Sequence, residues 1–402
     1  MTLALKAELR RDHPLLVEGL LLFFPAAALH AMLSPLLWVT VFGFSLPFAQ
    51  AIPSTQWHAH EMIFGTYGAA LAGFLTSAVA EWTDTPPRKG RTLIVLLSFW
   101  LPGRIIGLFG LEPLVALAGL TDFAFLAMLF WFVLTPLLER RSTRHASFAV
   151  WAFLFALAEV GIRIAWLTGQ FDLAGRLLQA SLNVFLIFFA LAVARINVVV
   201  INLALDPSGD TTPYRPHPGR QNLAAGMVAL YAITALAFPH SQVPSYLALA
   251  AAAAFFDRLA EWFIGTAVLR TQVLALAGAN AFAGGGFLLI GLSGLGAPIA
   301  IGSGIHMLAV GSLGLAVMAV LVIAGLRHTG RPLVLPRAAH AAIALMACAG
   351  LVRVLPELGI GGALTSLHYA ASALLWSAAF GVWFVGFLPL FLHPLRTAEG
   401  CQ

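Results

Sequence analysis

Charge is scarce in this sequence. Of 402 residues only 10% are charged, against 60% hydrophobic, and the mean hydropathy is +0.91. Water-soluble domains carry about a quarter charged residues, so a polytopic membrane protein is expected and a soluble enzyme is excluded. Cysteine is almost missing as well: Cys348 falls in an apolar run and Cys401 near the C-terminus. Two cysteines so placed exclude a disulfide framework, a cysteine metal motif and a cysteine-held iron–sulfur cluster. The triplet Gly284-Gly285-Gly286 has no strand before it, which leaves close packing or a kink and no phosphate-binding loop. The formal charge of +5 calls for no nucleic-acid partner, because the basic residues lie where membrane topology wants them.

At about 20 residues per spanning helix, the chain has room for a dozen spans. Apolar runs bounded by Pro, Gly and charge place twelve helices. They are 18–44, 59–81, 92–110, 112–137, 146–168, 175–204, 221–238, 244–269, 273–294, 300–326, 337–355 and 364–391. The fold class expected is therefore all-α, one transmembrane domain over 1–402. The first run is too long for a signal sequence and reads as an uncleaved span. Alternate loops hold Lys6, Arg10, Arg11; Arg88, Lys89, Arg91; Arg140, Arg141, Arg144; Arg215, Arg220; Arg270; Arg327, Arg331, Arg337; and Arg396. The opposite loops have almost none beyond Arg176, so both termini are assigned to the cytoplasm. The Pro-rich loop 206–220 divides two candidate halves, 1–205 and 221–402. A faint echo links them: His60 opens the second helix and Arg104 lies on the third, while His306 opens the tenth and Arg353 lies on the eleventh.

The polar residues of the spans collect at one expected depth. Trp57-His58-Ala59-His60-Glu61-Met62 stands where a loop enters the second helix. With the assigned topology, His58, His60, Glu61, His306 and His368 fall at outer helix ends, and Arg104, Glu159, Arg163 and Arg353 in the outer half. Ionisable groups inside a bilayer are costly and usually functional. Neutral imidazole is the commonest metal ligand and a standard axial ligand of haem iron. Haem propionates need cationic partners, and arginine keeps its charge when buried. His58, His60, His306 and His368 are thus candidate metal ligands, with Arg104, Arg163 and Arg353 as candidate propionate partners. His58 and His60 sit about 200° apart on a helix and are expected to serve two destinations. Glu61 and His58 are the candidates for catalytic proton handling. Met62 and Met307 could offer thioethers to Cu(I).

Plainer readings compete with each of these. His58 and His60 suit an interfacial pair beside Trp57 in the aromatic belt, and His306 lies among small residues that pack helices. His30 and His368 suit simple interhelical hydrogen bonds. Glu159 and Arg163 stand i, i+4 in the favourable order for a structural ion pair. Asp122, Asp257, Arg258 and Glu261 suit either a proton-coupled carrier or an internal charge cluster. His328, in HTGRP, reads as a basic side chain at a helix C-terminus.

The runs WHAHEMIFGTYGAALAGFLTSAVAEWT, LPGR around Arg104, IHMLAVGSLG, LRHTGRPL and LVRVL around Arg353 resemble the NnrS family over most of the chain. That resemblance implies a twelve-span protein of the bacterial inner membrane, associated with nitric oxide metabolism and containing haem, expected to be b-type, and copper. It implies haem histidines within these motifs: His58, His60, His306 and His328. The expected axial pair is His60 and His306. Nitric oxide is the expected small-molecule ligand, and a quinol or a cytochrome the candidate electron donor. One departure stands out, since a Gly-Gly-Arg-x-x-Pro-like stretch in helix six reads here Ala194-Arg195-Ile196-Asn197-Val198-Val199. In its placement of His60 and His306 the chain is also similar to haem–copper oxidases and nitric oxide reductases, but their copper histidines of helices six and seven have no counterpart. A non-catalytic sensor and a proton-coupled transporter remain the rival expectations.

Overall fold

The computed structural model describes residues 13–44, 52–109, 112–362 and 367–395. Lys6, Arg10, Arg11, Arg396 and Cys401 lie outside the described residues. Within them the fold is all-helical, and twelve long helices stand at the twelve expected positions. In chain order they are α1 (Gly19–Phe44), α2 (Ser54–Thr83), α3 (Arg91–Phe109), α4 (Val115–Glu139), α5 (Ala146–Leu167) and α6 (Phe171–Leu205). They continue as α7 (Pro218–Ala237), α8 (Val243–Arg258), α9 (Thr271–Gly294), α10 (Ile301–His328), α11 (Arg337–Val354) and α12 (His368–Leu392). Among the described residues ten segments are long and apolar enough to cross a membrane; α3 and α7 are not among these ten.

Two compact units account for the contacts. One comprises Met1–Ser181, Ala324–Val334 and Trp383–Gln402; the other comprises Leu182–Ile323 and Leu335–Val382. The division runs through α6, α10 and α12 and not through the loop 206–220. In the first unit α1 packs on α2, α3 on α4 and α4 on α5; in the second α7 packs on α8, α8 on α9, and α9 on α10. Short connections make these neighbours antiparallel.

Local sequence explains where the helices start and bend. Pro53 caps α2, so Trp57, His58 and His60 all lie on helix, several residues earlier than the expected start at 59. Between Glu61 and Tyr67 that helix widens to π geometry, and α10 does the same over Met307–Gly314. Single π turns cluster at functional sites, and each of these begins one residue after a histidine, His60 or His306. The expected helix 244–269 ends early instead. Past Asp257-Arg258 it tightens into a 3-10 turn, Leu259–Trp262, and Gly265 at φ +64° breaks it before a second, Gly265–Leu269. The glycine triplet on α9 is close packing, as one expected alternative had it. A Cβ on Gly286 would come within 3.0 Å of the Gly304 carbonyl on α10, so the two backbones touch as small residues allow within membranes.

Candidate functional site

Six charged or titratable side chains of the first unit close into a ring. Arg104 on α3 approaches Glu61 Oε2 with Nε at 2.9 Å and donates from Nη2 to Asp122 Oδ2 at 2.8 Å. Arg163 on α5 donates from Nη2 to the same Asp122 oxygen at 2.6 Å and from Nε to Glu159 Oε1 at 2.6 Å. Glu159 Oε2 lies 2.8 Å from His60 Nε2, and His60 Nδ1 lies 3.4 Å from Glu61 Oε1, which completes the circuit. His30 on α1 adds a branch, with Nε2 at 3.3 Å from Glu61 and Nδ1 at 2.8 Å from Thr66. The first five helices thus meet through polar atoms. Apart from Arg163, the ring residues are under 9% exposed.

The sequence fits the ring closely. Gly103 of LPGR leaves the space that the Asp122 carboxylate fills, and Gly65 leaves the space of the His30 imidazole. Within the π segment the Gly65 carbonyl accepts from Trp100 Nε1 at 3.1 Å. With neutral imidazoles the ring holds three carboxylates against two guanidiniums, so one proton on an imidazole or a carboxylate balances it. Such pairing is what makes charges tolerable at low dielectric. His58, two residues before His60, points elsewhere: it stacks on Trp38 with 4.7 Å between ring centres. His58 and His60 thus diverge to different partners, as positions about 200° apart on a helix must.

Ligand atoms of His60, Asp122 and Glu159 lie within 4.8 Å of one another, close enough to hold a cation. Arg163 sits among them at 2.6 Å from both acids, so a metal there would have to displace a guanidinium. His60 is likewise engaged at both ring nitrogens. The donor set therefore fits a salt-bridge network and does not fit a metal or an iron-binding imidazole as it stands. Among its buried donors, Arg104 Nε and Nη1 have no hydrogen-bond partner among the described residues, although Nε keeps its 2.9 Å ion-pair contact with Glu61.

The second unit gathers His306, Arg353 and His368 around an acid that the sequence reading missed. Glu357 Oε1 accepts from Arg353 Nη1 at 2.5 Å, and its Oε2 from Ser303 Oγ at 2.5 Å. His368 Nε2 lies 3.4 Å and Tyr369 OH 3.3 Å from Oε1, and Arg353 lies over the Tyr369 ring at 4.3 Å. The i, i+4 spacing of Arg353 and Glu357 was the available signal, the same spacing that flagged Glu159 and Arg163. His306 Nδ1 is 2.7 Å from the Gly302 carbonyl one turn back and 3.0 Å from Arg353 Nη2. The carbonyl can only accept and the guanidinium can only donate, so Nδ1 serves one of the two; in the tautomer that donates to the carbonyl, Nε2 carries the lone pair. No hydrogen bond engages Nε2 among the described residues. This carbonyl-fixed tautomer is the arrangement seen in metal-binding histidines.

The two clusters share a plan. Each histidine precedes a π segment, each fifth residue after it is glycine (Gly65, Gly311), and each next helix brings an arginine to that histidine or its acid. His328, by contrast, pairs with Glu18 at 2.9 Å. Met307 packs against Gly285. Asp122 is satisfied by Arg104 and Arg163, whereas Arg258 donates to the Ala190 carbonyl and stands 3.7 Å from Glu261.

No curated protein and no solved structure matches the chain. A family model described as NnrS protein matches residues 14–394.

Proposed function

The chain belongs to the NnrS family, and from that premise we propose that it is a haem-binding inner-membrane protein of bacteria that acts on nitric oxide. In this reading it has twelve spans with both termini in the cytoplasm. The observation that carries the haem assignment is the His306 imidazole, whose Nδ1 lies 2.7 Å from the Gly302 carbonyl and whose Nε2 has no hydrogen-bond partner among the described residues. In the tautomer that donates to this carbonyl, Nε2 would be unprotonated and available to iron, and haem would supply there a metal centre able to bind or reduce nitric oxide. Of the candidate histidines, His306 would be the one best prepared to hold the iron. His60 would first have to give up its contact with Glu159. Arg353 would remain paired with Glu357, while Arg104 offers Nη1 to an anionic oxygen. Copper would be held separately, by His58 in the first unit or by His368 in the second. Nitric oxide is small and apolar enough to arrive through lipid, and a quinol or a cytochrome would donate electrons.

The test is an absorption spectrum with iron and copper analysis on protein purified from haem-replete cells. Wild type is expected to show a Soret band that responds to nitric oxide, and His306→Ala to lose or shift it. A preparation without a Soret band, or a His306→Ala spectrum identical to wild type, refutes the assignment. Anaerobic consumption of nitric oxide by reconstituted protein with an electron donor separates an enzyme from a sensor.

A further inference from the structure

The second unit holds another buried polar cluster, apart from the one around His306. Arg258 at the end of α8 is fully buried, as is Asn197 on α6, and Glu261 and Trp262 in the following 3-10 turn are nearly so. Asn197 Nδ2 donates to Glu261 Oε2 at 3.1 Å, the Tyr214 hydroxyl donates to the same oxygen at 3.2 Å, and Arg258 Nη1 reaches the Ala190 carbonyl at 3.2 Å. The ion pair within the cluster is loose: Arg258 Nε stands 3.7 Å from Glu261 Oε1. Five atoms of these side chains then have no hydrogen-bond partner among the described residues. They are Arg258 Nε and Nη2, Trp262 Nε1, Glu261 Oε1 and Asn197 Oδ1.

Buried polar atoms in native proteins are satisfied almost without exception, so five together on two neighbouring segments mark an occupied site. The chemistry of the set narrows the occupant. Three atoms are donors and two are acceptors, and the one guanidinium is matched by one carboxylate. An anion would meet the Glu261 carboxylate and a cation the Arg258 guanidinium. A neutral molecule that both donates and accepts fits, and a gap of more than 3.5 Å between polar groups is where a bridging water belongs. Tyr214 connects this interior to the loop 206–220. It is half-buried, its hydroxyl reaches Glu261, and burial together with that carboxylate pushes its phenol well above the usual range. The phenol therefore stays a donor at neutral pH.

We propose that Arg258, Glu261, Asn197 and Trp262 bind ordered water, and that Tyr214 links this water to the loop, so that protons exchange between the cluster and solvent on that side. Trp383 supplies an internal control, because its indole Nε1 is also buried without a partner among the described residues, but it packs on Phe387 and Phe391.

X-ray radiolysis of the full-length protein in lipid nanodiscs, read by mass spectrometry, oxidises side chains beside bound water. Trp262 is expected to label several-fold faster than Trp383, and deuterium exchange at the Trp262 indole to outpace that at Trp383. Tyr214→Phe is expected to keep the labelling and slow the exchange several-fold. Equal labelling of the two indoles overturns the water site. Exchange unchanged in Tyr214→Phe, with normal labelling, overturns the route. Both readouts are independent of haem content, so they stand or fall separately from the functional reading.

Discussion

Replacing Arg163 by Met tests whether the charged ring holds the first unit together. The guanidinium donates at 2.6 Å to Glu159 and at 2.6 Å to Asp122. Without it, Glu61, Asp122 and Glu159 face Arg104 alone. Breaking a buried pair from one side costs about 3–5 kcal/mol. Arg163 is 18% exposed, so water relieves part of that, and a loss of about 3 kcal/mol is expected. Glu159→Gln should be milder, at about 1–2 kcal/mol. Its amide oxygen still accepts from Arg163, and two carboxylates then balance two guanidiniums with both imidazoles neutral. The double variant should cost less than the sum by about 2 kcal/mol, since neither partner is left alone. Denaturant unfolding in detergent, followed by tryptophan fluorescence, measures all three. Trp166 is well placed to report, at 5.3 Å from both the His60 ring and the Arg163 guanidinium. Additive costs, or an Arg163→Met protein within about 0.5 kcal/mol of wild type, would refute the ring as a cooperative unit.

Further outcomes are expected elsewhere. His328→Ala breaks an ion pair with Glu18 that is partly open to water; it should cost under about 1 kcal/mol and leave the haem spectrum unchanged, and a changed Soret band would make His328 a ligand after all. Gly286→Ala forces a methyl to within 3.0 Å of the Gly304 carbonyl and 2.7 Å of Leu308, so unfolding in detergent should show a loss of about 1–3 kcal/mol. In the loop 206–220, hydrogen bonds from Ser208 and then Thr211 hold the Asp206 carboxyl down at about 2. The folded value is depressed, so these bonds favour the ordered loop above the unfolded value near 3.9 and the benefit goes as pH falls through about 2. A carbon-13 NMR titration of Asp206 with a midpoint near 4 would contradict this.

The helices were legible because twelve apolar runs are separated by Pro, Gly and Arg, and hydropathy needs no tertiary contact to be read. The π segments after His60 and His306 were not, since a widened turn leaves no mark in the apolar period. The start of α2 was misjudged for a similar reason: Gln56 and His58 look like loop, yet Pro53 starts a helix ahead of them. In the site, residue types carried the signal but pairing did not. His60, Glu61, Arg104 and Arg163 are all singled out by the sequence, though as a ligand, a proton handler and propionate partners, whereas in the structure they satisfy one another. That exchange of partners needs three dimensions. Glu357 was passed over because it follows a proline at a helix end, where an acid looks like part of a loop.

The order in which the ring members leave the ribosome has a consequence for how the protein is made. His60 and Glu61 are synthesised on α2, Arg104 comes later, and Arg163 on α5 emerges last, about a hundred residues behind Glu61. At roughly 5–20 residues per second, α2 waits on the order of 5–20 s for its full set of counter-charges. During that interval the insertion machinery has to shelter an acid that lipid alone would reject. Secretion of α2 into the bilayer and closure of the first five helices are therefore separate events in biogenesis, and a chain truncated before α5 should be a substrate for membrane proteases.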